Sequence, residues 1–267
     1  MITKRIIDEK GIDQTEDTVL VLGYFDGLHK GHQALFEKAR EIATEQGLKI
    51  AVLTFPESPK LAFVRYQPEL MLHLASPEDR IAQLESLGVD YLYLIDFTSH
   101  FAGNTARDFF EKYVSRLRAK AVVAGFDYHF GSDRKESHEL RDYFNGKIVI
   151  VPSVNLDNRK ISSTRIRETI TVGDMLKTQE LLGYPLSTRG IVVHGNARGR
   201  TIGYPTANLA PLDRVLLPGD GVYVADVEHN GQRYRGMASV GKNVTFDGDE
   251  LRFEVNIFDF SQDIYGD

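Results

Sequence analysis

Apolar positions in the first 185 residues follow two alternating patterns. Short apolar runs at 18–22, 49–55, 89–95, 120–124 and 147–151 are separated by helix-length stretches. Runs of this kind read as strands, and their alternation with helical segments predicts a doubly wound parallel sheet, Rossmann-like in class. Residues 33–43 and 76–87 carry apolar side chains at helical spacing. The second of these opens well, with Ser76 as cap, Pro77 in the first turn, and Glu78 and Asp79 near the positive end of the helix dipole. Beyond about residue 186 the pattern changes. Glycine becomes frequent, and strand candidates at 190–194, 221–228, 234–240 and 251–258 follow one another with no helical segment between them. This predicts an antiparallel β-barrel or sandwich. The linker falls at Gly183-Tyr184-Pro185-Leu186-Ser187, which gives domains 1–185 and 186–267.

Composition narrows the chemistry. The chain has 267 residues, 42% hydrophobic and 26% charged, enough for two cores and ordinary for a globular protein. Its net charge of -6 supplies no overall basic field, so no nucleic acid partner is expected and any phosphate site must be local. The absence of cysteine excludes disulfides, thiolate metal sites and a thiol nucleophile, and makes the cytoplasm the expected compartment. Neither the first eight residues nor any later segment has the apolar length of a signal peptide or a membrane span, so no membrane partner is expected.

Five segments carry candidate chemistry. Gly23-Tyr24-Phe25-Asp26-Gly27-Leu28-His29-Lys30-Gly31-His32 directly follows the run at 18–22. A strand that ends in glycines and reopens as a helix directs unpaired backbone N–H groups at an anion above it. His29 and His32 would then stabilise negative charge built up at phosphorus. An ordinary strand–helix turn with incidental histidines fits the same residues. Phe55, at the end of the second run, and the glycine-bracketed Gly125-Phe126-Asp127-Tyr128-His129-Phe130-Gly131 after the fourth stand where open α/β sheets contact ligands, and equally where structural loops lie. In Ile161-Ser162-Ser163-Thr164-Arg165-Ile166-Arg167 the hydroxyls cap a helix or donate to phosphate, and Arg167 offers a planar fork. In the second half, the loop Gly195-Asn196-Ala197-Arg198-Gly199-Arg200 lets backbone approach phosphate while its arginines neutralise charge, and a Pro205-Thr206-Ala207-Asn208 turn presents neutral hard oxygens suited to magnesium. A barrel turn with surface arginines is the plain alternative.

Taken in order, these segments resemble the prokaryotic bifunctional riboflavin kinase and FMN adenylyltransferase family, also called FAD synthetases. His29-Lys30-Gly31-His32 looks like the HxGH signature of nucleotidyltransferases, and Gly199 to Asn208 looks like the riboflavin kinase motif. The resemblance implies two activities: phosphorylation of riboflavin by ATP to FMN, and transfer of AMP from ATP to FMN to give FAD and pyrophosphate. It implies His29, His32 and Glu254 as catalytic residues. It places ATP and phosphate at Gly23, Phe25, Asp26, Gly31, Ser163, Thr164, Arg167, Gly199, Arg200 and Thr206. Flavin falls to Phe55, Asp127 and Phe130, and Mg2+, arriving with ATP, to Thr206 and Asn208. ATP, riboflavin and FMN are the expected partners, flavin being substrate and product rather than prosthetic group, and the protein is expected to be a monomer or weak homo-oligomer. Glu57-Ser58-Pro59-Lys60 departs from the family's second proline and histidine. The chain also ends at Asp267, where the family continues with more barrel and a helix, so an incomplete kinase module is expected. Alternatives are a single-activity nucleotidyltransferase, a non-catalytic flavin- or nucleotide-binding regulator, and a flavin-dependent oxidoreductase.

Overall fold

A computed structural model describes residues 1–195, 204–243 and 250–267. It divides into two compact units. The first comprises Met1–Ser163 with Leu181–Gly183, and the second Thr164–Glu180 with Tyr184–Asp267.

In the first unit six strands form one sheet in the order Ile2–Ile6, Tyr91–Ile95, Lys49–Thr54, Thr18–Leu22, Ala119–Gly125, Lys147–Val151. Every pairing in it is parallel. Five of these strands are legible as apolar runs. The sixth, Ile2–Ile6, is not: at the sheet edge only Ile6 is buried, so the segment lacks a continuous apolar signal.

The central strand Thr18–Leu22 is buried throughout and feeds both cores by simple alternation. Val19 and Val21 pack with Leu35, Phe36, Ala39 and Ile42 of the helix Lys30–Gln46. Leu20 and Leu22 pack on the opposite face with Phe101, Phe109, Phe110, Tyr113 and Leu117. From this strand the chain moves outward through Lys49–Thr54 and Tyr91–Ile95, then returns to the other side with Ala119–Gly125. The strand order therefore reverses between Thr18–Leu22 and Ala119–Gly125. In an open α/β sheet the crevice beyond the strand ends at such a reversal is the natural ligand position.

The helix Pro77–Ser86 starts as the sequence predicts, with Ser76 Oγ accepting from the Asp79 N–H at 3.0 Å. The helix Lys30–Gln46 starts earlier than its apolar spacing indicates, because His29 is its cap, and it ends on Gly47 at φ +65°.

In the second unit five strands form an antiparallel sheet in the order Gly190–Val193, Ala207–Pro211, Glu250–Ile257, Gln232–Asn243, Gly221–His229. The antiparallel character matches the strand rhythm; among the described residues the two outer strands do not pair with each other. Alternation alone cannot set closure, which depends on strand tilt and stagger. The segment read as a Pro-Thr-Ala-Asn turn is different. Ala207 and Asn208 are strand residues, paired with Val255 and Glu254.

Candidate active site

A cleft of about 350 Å³ opens at the point of strand reversal. Its walls come from the residues following four parallel strands, together with the segment just before the helix Ser163–Thr171. At its base lies the turn from Gly23 to His32. Phe25 adopts a left-handed conformation at φ +59° and Leu28 at φ +37°, both unusual for residues with a side chain. Gly27, at φ +72°, lies so close to Leu74 that a Cβ would meet the Leu74 Cβ at 2.7 Å. Asp26 fastens this turn by accepting the Leu74 N–H at 2.9 Å. Asp26 is buried in that role and does not line the cleft.

The turn delivers both histidines to the start of a 17-residue helix. His29 Nδ1 accepts the His32 N–H at 3.3 Å, so in the neutral ring the proton sits on Nε2. The two imidazoles stack with centroids 3.7 Å apart and planes 15° apart. Gly31 makes room between them and the next wall: a Cβ there would lie 3.1 Å from the His29 ring and 3.6 Å from the Ile161 carbonyl. Burial lowers the His29 pKa to about 4, against a smaller opposing pull from Asp26. Burial also holds His32 well below the usual range, reinforced by His29, Arg80 and Lys160. Both rings are thus neutral donors and acceptors at pH 7. Among the described residues His32 Nδ1 is buried with no hydrogen-bond partner, a group that a bound ligand would satisfy.

The structure brings some of the sequence-predicted residues to the cleft and places others elsewhere. Gly23, Phe25, Gly31, Phe55, Asp127 and Ser163 line the cleft. The Phe25 ring meets His32 edge-on at 5.3 Å. Ser163 Oγ donates to the Asp26 carbonyl at 3.3 Å. Phe130 does not reach the cleft. It packs against Phe110 and Tyr143 in the core, because the pleat of its two-residue strand sends alternate side chains to opposite sides. Phe126, Tyr128 and His129 line the wall instead, and burial pushes the Tyr128 phenol up. Thr164 and Arg167 lie further along the helix that Ser163 begins.

Two cations escaped the sequence reading. Lys160 lines the cleft, pairs with Asp127 and places Nζ 4.6 Å from the Phe126 ring centroid. Its position directly before Ile161-Ser162-Ser163 was the available signal. Arg80 lies behind the wall. A basic residue inside an otherwise regular amphipathic helix gave no sign of burial.

In the second unit, Thr206 Oγ1 donates to Glu254 Oε2 at 3.2 Å, and Asn208 stands opposite Glu254 in the strand register. Asn208 also lies against Gly195, where a Cβ would come within 2.3 Å of its amide. A hydroxyl thus meets a carboxylate, with an amide opposite that carboxylate in the strand register, and oxygens of these kinds suit a hard cation such as magnesium. Gly199 and Arg200, with Arg198, lie outside the described residues.

Comparison with known proteins covers both units. The FAD synthetase family model matches residues 11–165, and the riboflavin kinase model matches residues 182–267. The bifunctional riboflavin kinase/FMN adenylyltransferase of Listeria monocytogenes is 41% identical over 253 residues, 93% of this chain and 80% of that protein. The protein of the same name from Bacillus subtilis is 38% identical over 260 residues, 95% of this chain and 82% of that one. A crystal structure described as a macrolide-efflux protein from Streptococcus pneumoniae superposes with a TM-score of 0.96 at 58% identity, covering 100% of this chain and 88% of that chain. Among the described residues here, no helix is long and apolar enough to cross a membrane.

Proposed function

This chain belongs to the bifunctional riboflavin kinase/FMN adenylyltransferase family, and from that premise we propose how its residues divide the work. The enzyme phosphorylates riboflavin with ATP to give FMN, then adenylylates FMN with a second ATP to give FAD and pyrophosphate.

Adenylyl transfer belongs to the cleft above the central strand. An FMN phosphate oxygen attacks the α-phosphorus of ATP, and the bond to pyrophosphate breaks. The nucleophile is already ionised at pH 7, so no strong base is required. What the step needs is neutral, preorganised donors where charge develops. His29 and His32 supply them. Ser163, with Thr164 and Arg167 after it in the sequence, holds the leaving pyrophosphate, while Phe55 and Asp127 contact the flavin. The observation that carries this reading is the stacked, neutral histidine pair at a helix start, with one ring nitrogen left unsatisfied beside the cleft.

Riboflavin phosphorylation belongs to the antiparallel unit, which we take to close into a barrel. Glu254 orients the ribityl hydroxyl and accepts its proton as that oxygen attacks the γ-phosphorus and ADP leaves. Thr206 and Asn208 are the residues that would hold magnesium, with Gly199 and Arg200 near phosphate. When bound with ATP, the ion supplies charge neutralisation and alignment of the phosphates. Purified chain incubated with riboflavin, ATP and magnesium should accumulate FMN and then FAD on chromatography. Failure to form FAD even from supplied FMN would overturn the assignment of the cleft.

A further inference from the structure

The cleft is braced by one buried cation that the chemistry above leaves without a task. Arg80, in the first half of the helix Pro77–Ser86, is 7% exposed, and its hydrogen-bond acceptors are all neutral oxygens. Its Nη1 donates to the Phe55 carbonyl at 2.8 Å, and its Nη2 to the Tyr24 carbonyl and Thr54 Oγ1, each at 2.7 Å. Thr54 Oγ1 in turn donates to the Tyr24 carbonyl at 3.0 Å, and the guanidinium lies 5.1 Å from the Tyr24 ring centroid. The Asp26 and Glu57 carboxylates attract this charge at longer range, but burial works against it and its Nε has no hydrogen-bond partner among the described residues. An apolar side chain could fill a helix–sheet contact without that desolvation cost. These bonds instead join two neighbouring strands at the point where each chain segment leaves the sheet. Tyr24 belongs to the turn at the base of the cleft and Phe55 to its wall, and both line it.

We propose that Arg80 is a positioning residue for adenylyl transfer: its planar fork fixes the Tyr24 and Phe55 carbonyls, and through them the Gly23–Phe25 turn that packs on His32 and the Phe55 ring. The proposal rests on the cleft being the adenylylation site. A lysine cannot replace the fork, since a single ammonium on a flexible stem does not span three fixed acceptors in one plane. The charge has a second effect. Arg80, His29 and Lys160 all disfavour protonation of His32, while Asp26 and Asp127 favour protonation of its neighbour His29.

The test uses the full 267-residue chain with Arg80→Lys, Arg80→Met and Thr54→Val, measuring FAD formation from FMN separately from riboflavin phosphorylation. Because small displacements of aligned groups are costly, Arg80→Lys should lower kcat/KM for FAD formation by about 10- to 100-fold with a raised KM for FMN, leaving phosphorylation unchanged. Thr54→Val should shift both parameters in the same direction, less strongly. Arg80→Met, which removes the fork and the charge together, should lower kcat/KM for FAD formation at least as far as Arg80→Lys. A role confined to stability would lower Tm and leave KM unmoved, and that result overturns the proposal. So does an Arg80→Lys enzyme with parental kcat/KM. If Arg80→Met does not fold, the lysine and Thr54 variants decide. His32→Ala run in parallel separates the two ideas: full activity there refutes the cleft assignment, whereas loss there with an unimpaired Arg80→Lys refutes only the role of Arg80.

Discussion

Three side chains concentrate the testable chemistry. Removing one preorganised donor to a developing oxyanion typically costs about 100- to 1000-fold in rate. His32→Ala should therefore nearly abolish FAD formation from FMN while riboflavin phosphorylation survives, as separate assays of the two steps would reveal. The acid sensitivity of the fold follows from the same pair. The His29 pKa is lowered to about 4 in the folded state, below its ordinary value of 6.5, so the unfolded chain binds more protons between those values. Stability from this group is complete above pH ~6.5 and declines as pH falls toward 4. Calorimetry at pH 7 and pH 5 should show a larger drop in Tm for the parent than for a His29→Asn, His32→Gln double variant, in which asparagine preserves the helix cap. An equal drop would place the acid-sensitive groups elsewhere. At Glu254 the carboxylate already accepts a hydrogen bond from Thr206. General-base help is typically worth about 100- to 10,000-fold, so Glu254→Gln should cut FMN formation steeply and leave adenylylation of supplied FMN intact. An unimpaired Glu254→Gln enzyme would remove this residue from the mechanism.

Between residues and fold stands the turn that joins the central strand to the first long helix. Gly27 combines a left-handed backbone at φ +72° with a side-chain position already filled by Leu74. Alanine there meets both strain and overpacking, so Gly27→Ala should lose about 1–3 kcal/mol in urea unfolding. Adenylylation should fall with it, because displacing this turn moves the cap residue His29. Stability equal to the parent would show that the turn relaxes freely. The sequence located this element through its glycines and histidines, yet placed the helix start at residue 33. Apolar spacing begins with the first core-facing side chain, whereas the helix itself begins with a capping hydrogen bond, and His29 Nδ1 supplies that bond. The same gap between pattern and backbone explains why Ala207 and Asn208 read as a turn and are a strand. Proline and asparagine are turn formers locally, but pairing with Val255 and Glu254 overrides that preference.

For the molecule as a whole, modularity is the open quantity. The helical residues Thr164–Glu180 group with the second unit, where the Gly219 N–H donates to the Ile170 carbonyl at 2.9 Å. A fragment of residues 1–186 loses that bond, so it should melt below the intact chain, yet it should convert FMN to FAD without phosphorylating riboflavin. An absolute need for residues 187–267 in the adenylylation assay would refute independent domains. How much of this was legible beforehand follows from the range of the interactions involved. Local patterning fixed five of the six parallel strands, the antiparallel character of the second half and the histidine turn, because side-chain alternation, glycine backbone freedom and capping act over a few residues. The edge strand Ile2–Ile6 escaped because one buried residue makes no pattern. Phe130 turned into the core and its neighbour His129 toward the cleft because a short strand's facing is set by the sheet it joins. Arg80 emerged only in three dimensions, and Lys160 had no sequence signal beyond its place directly before Ile161: what distinguishes them from other basic residues is the carbonyls of Tyr24 and Phe55 and the carboxylate of Asp127, brought to them by chain folding from tens of residues away. The sequence by itself thus determined which chemistry this protein carries and in which order along the chain. Only the tertiary structure decided which histidine nitrogen is left unsatisfied, which aromatics face the cleft and which cation braces it, since burial and long-range pairing are properties of the packed chain.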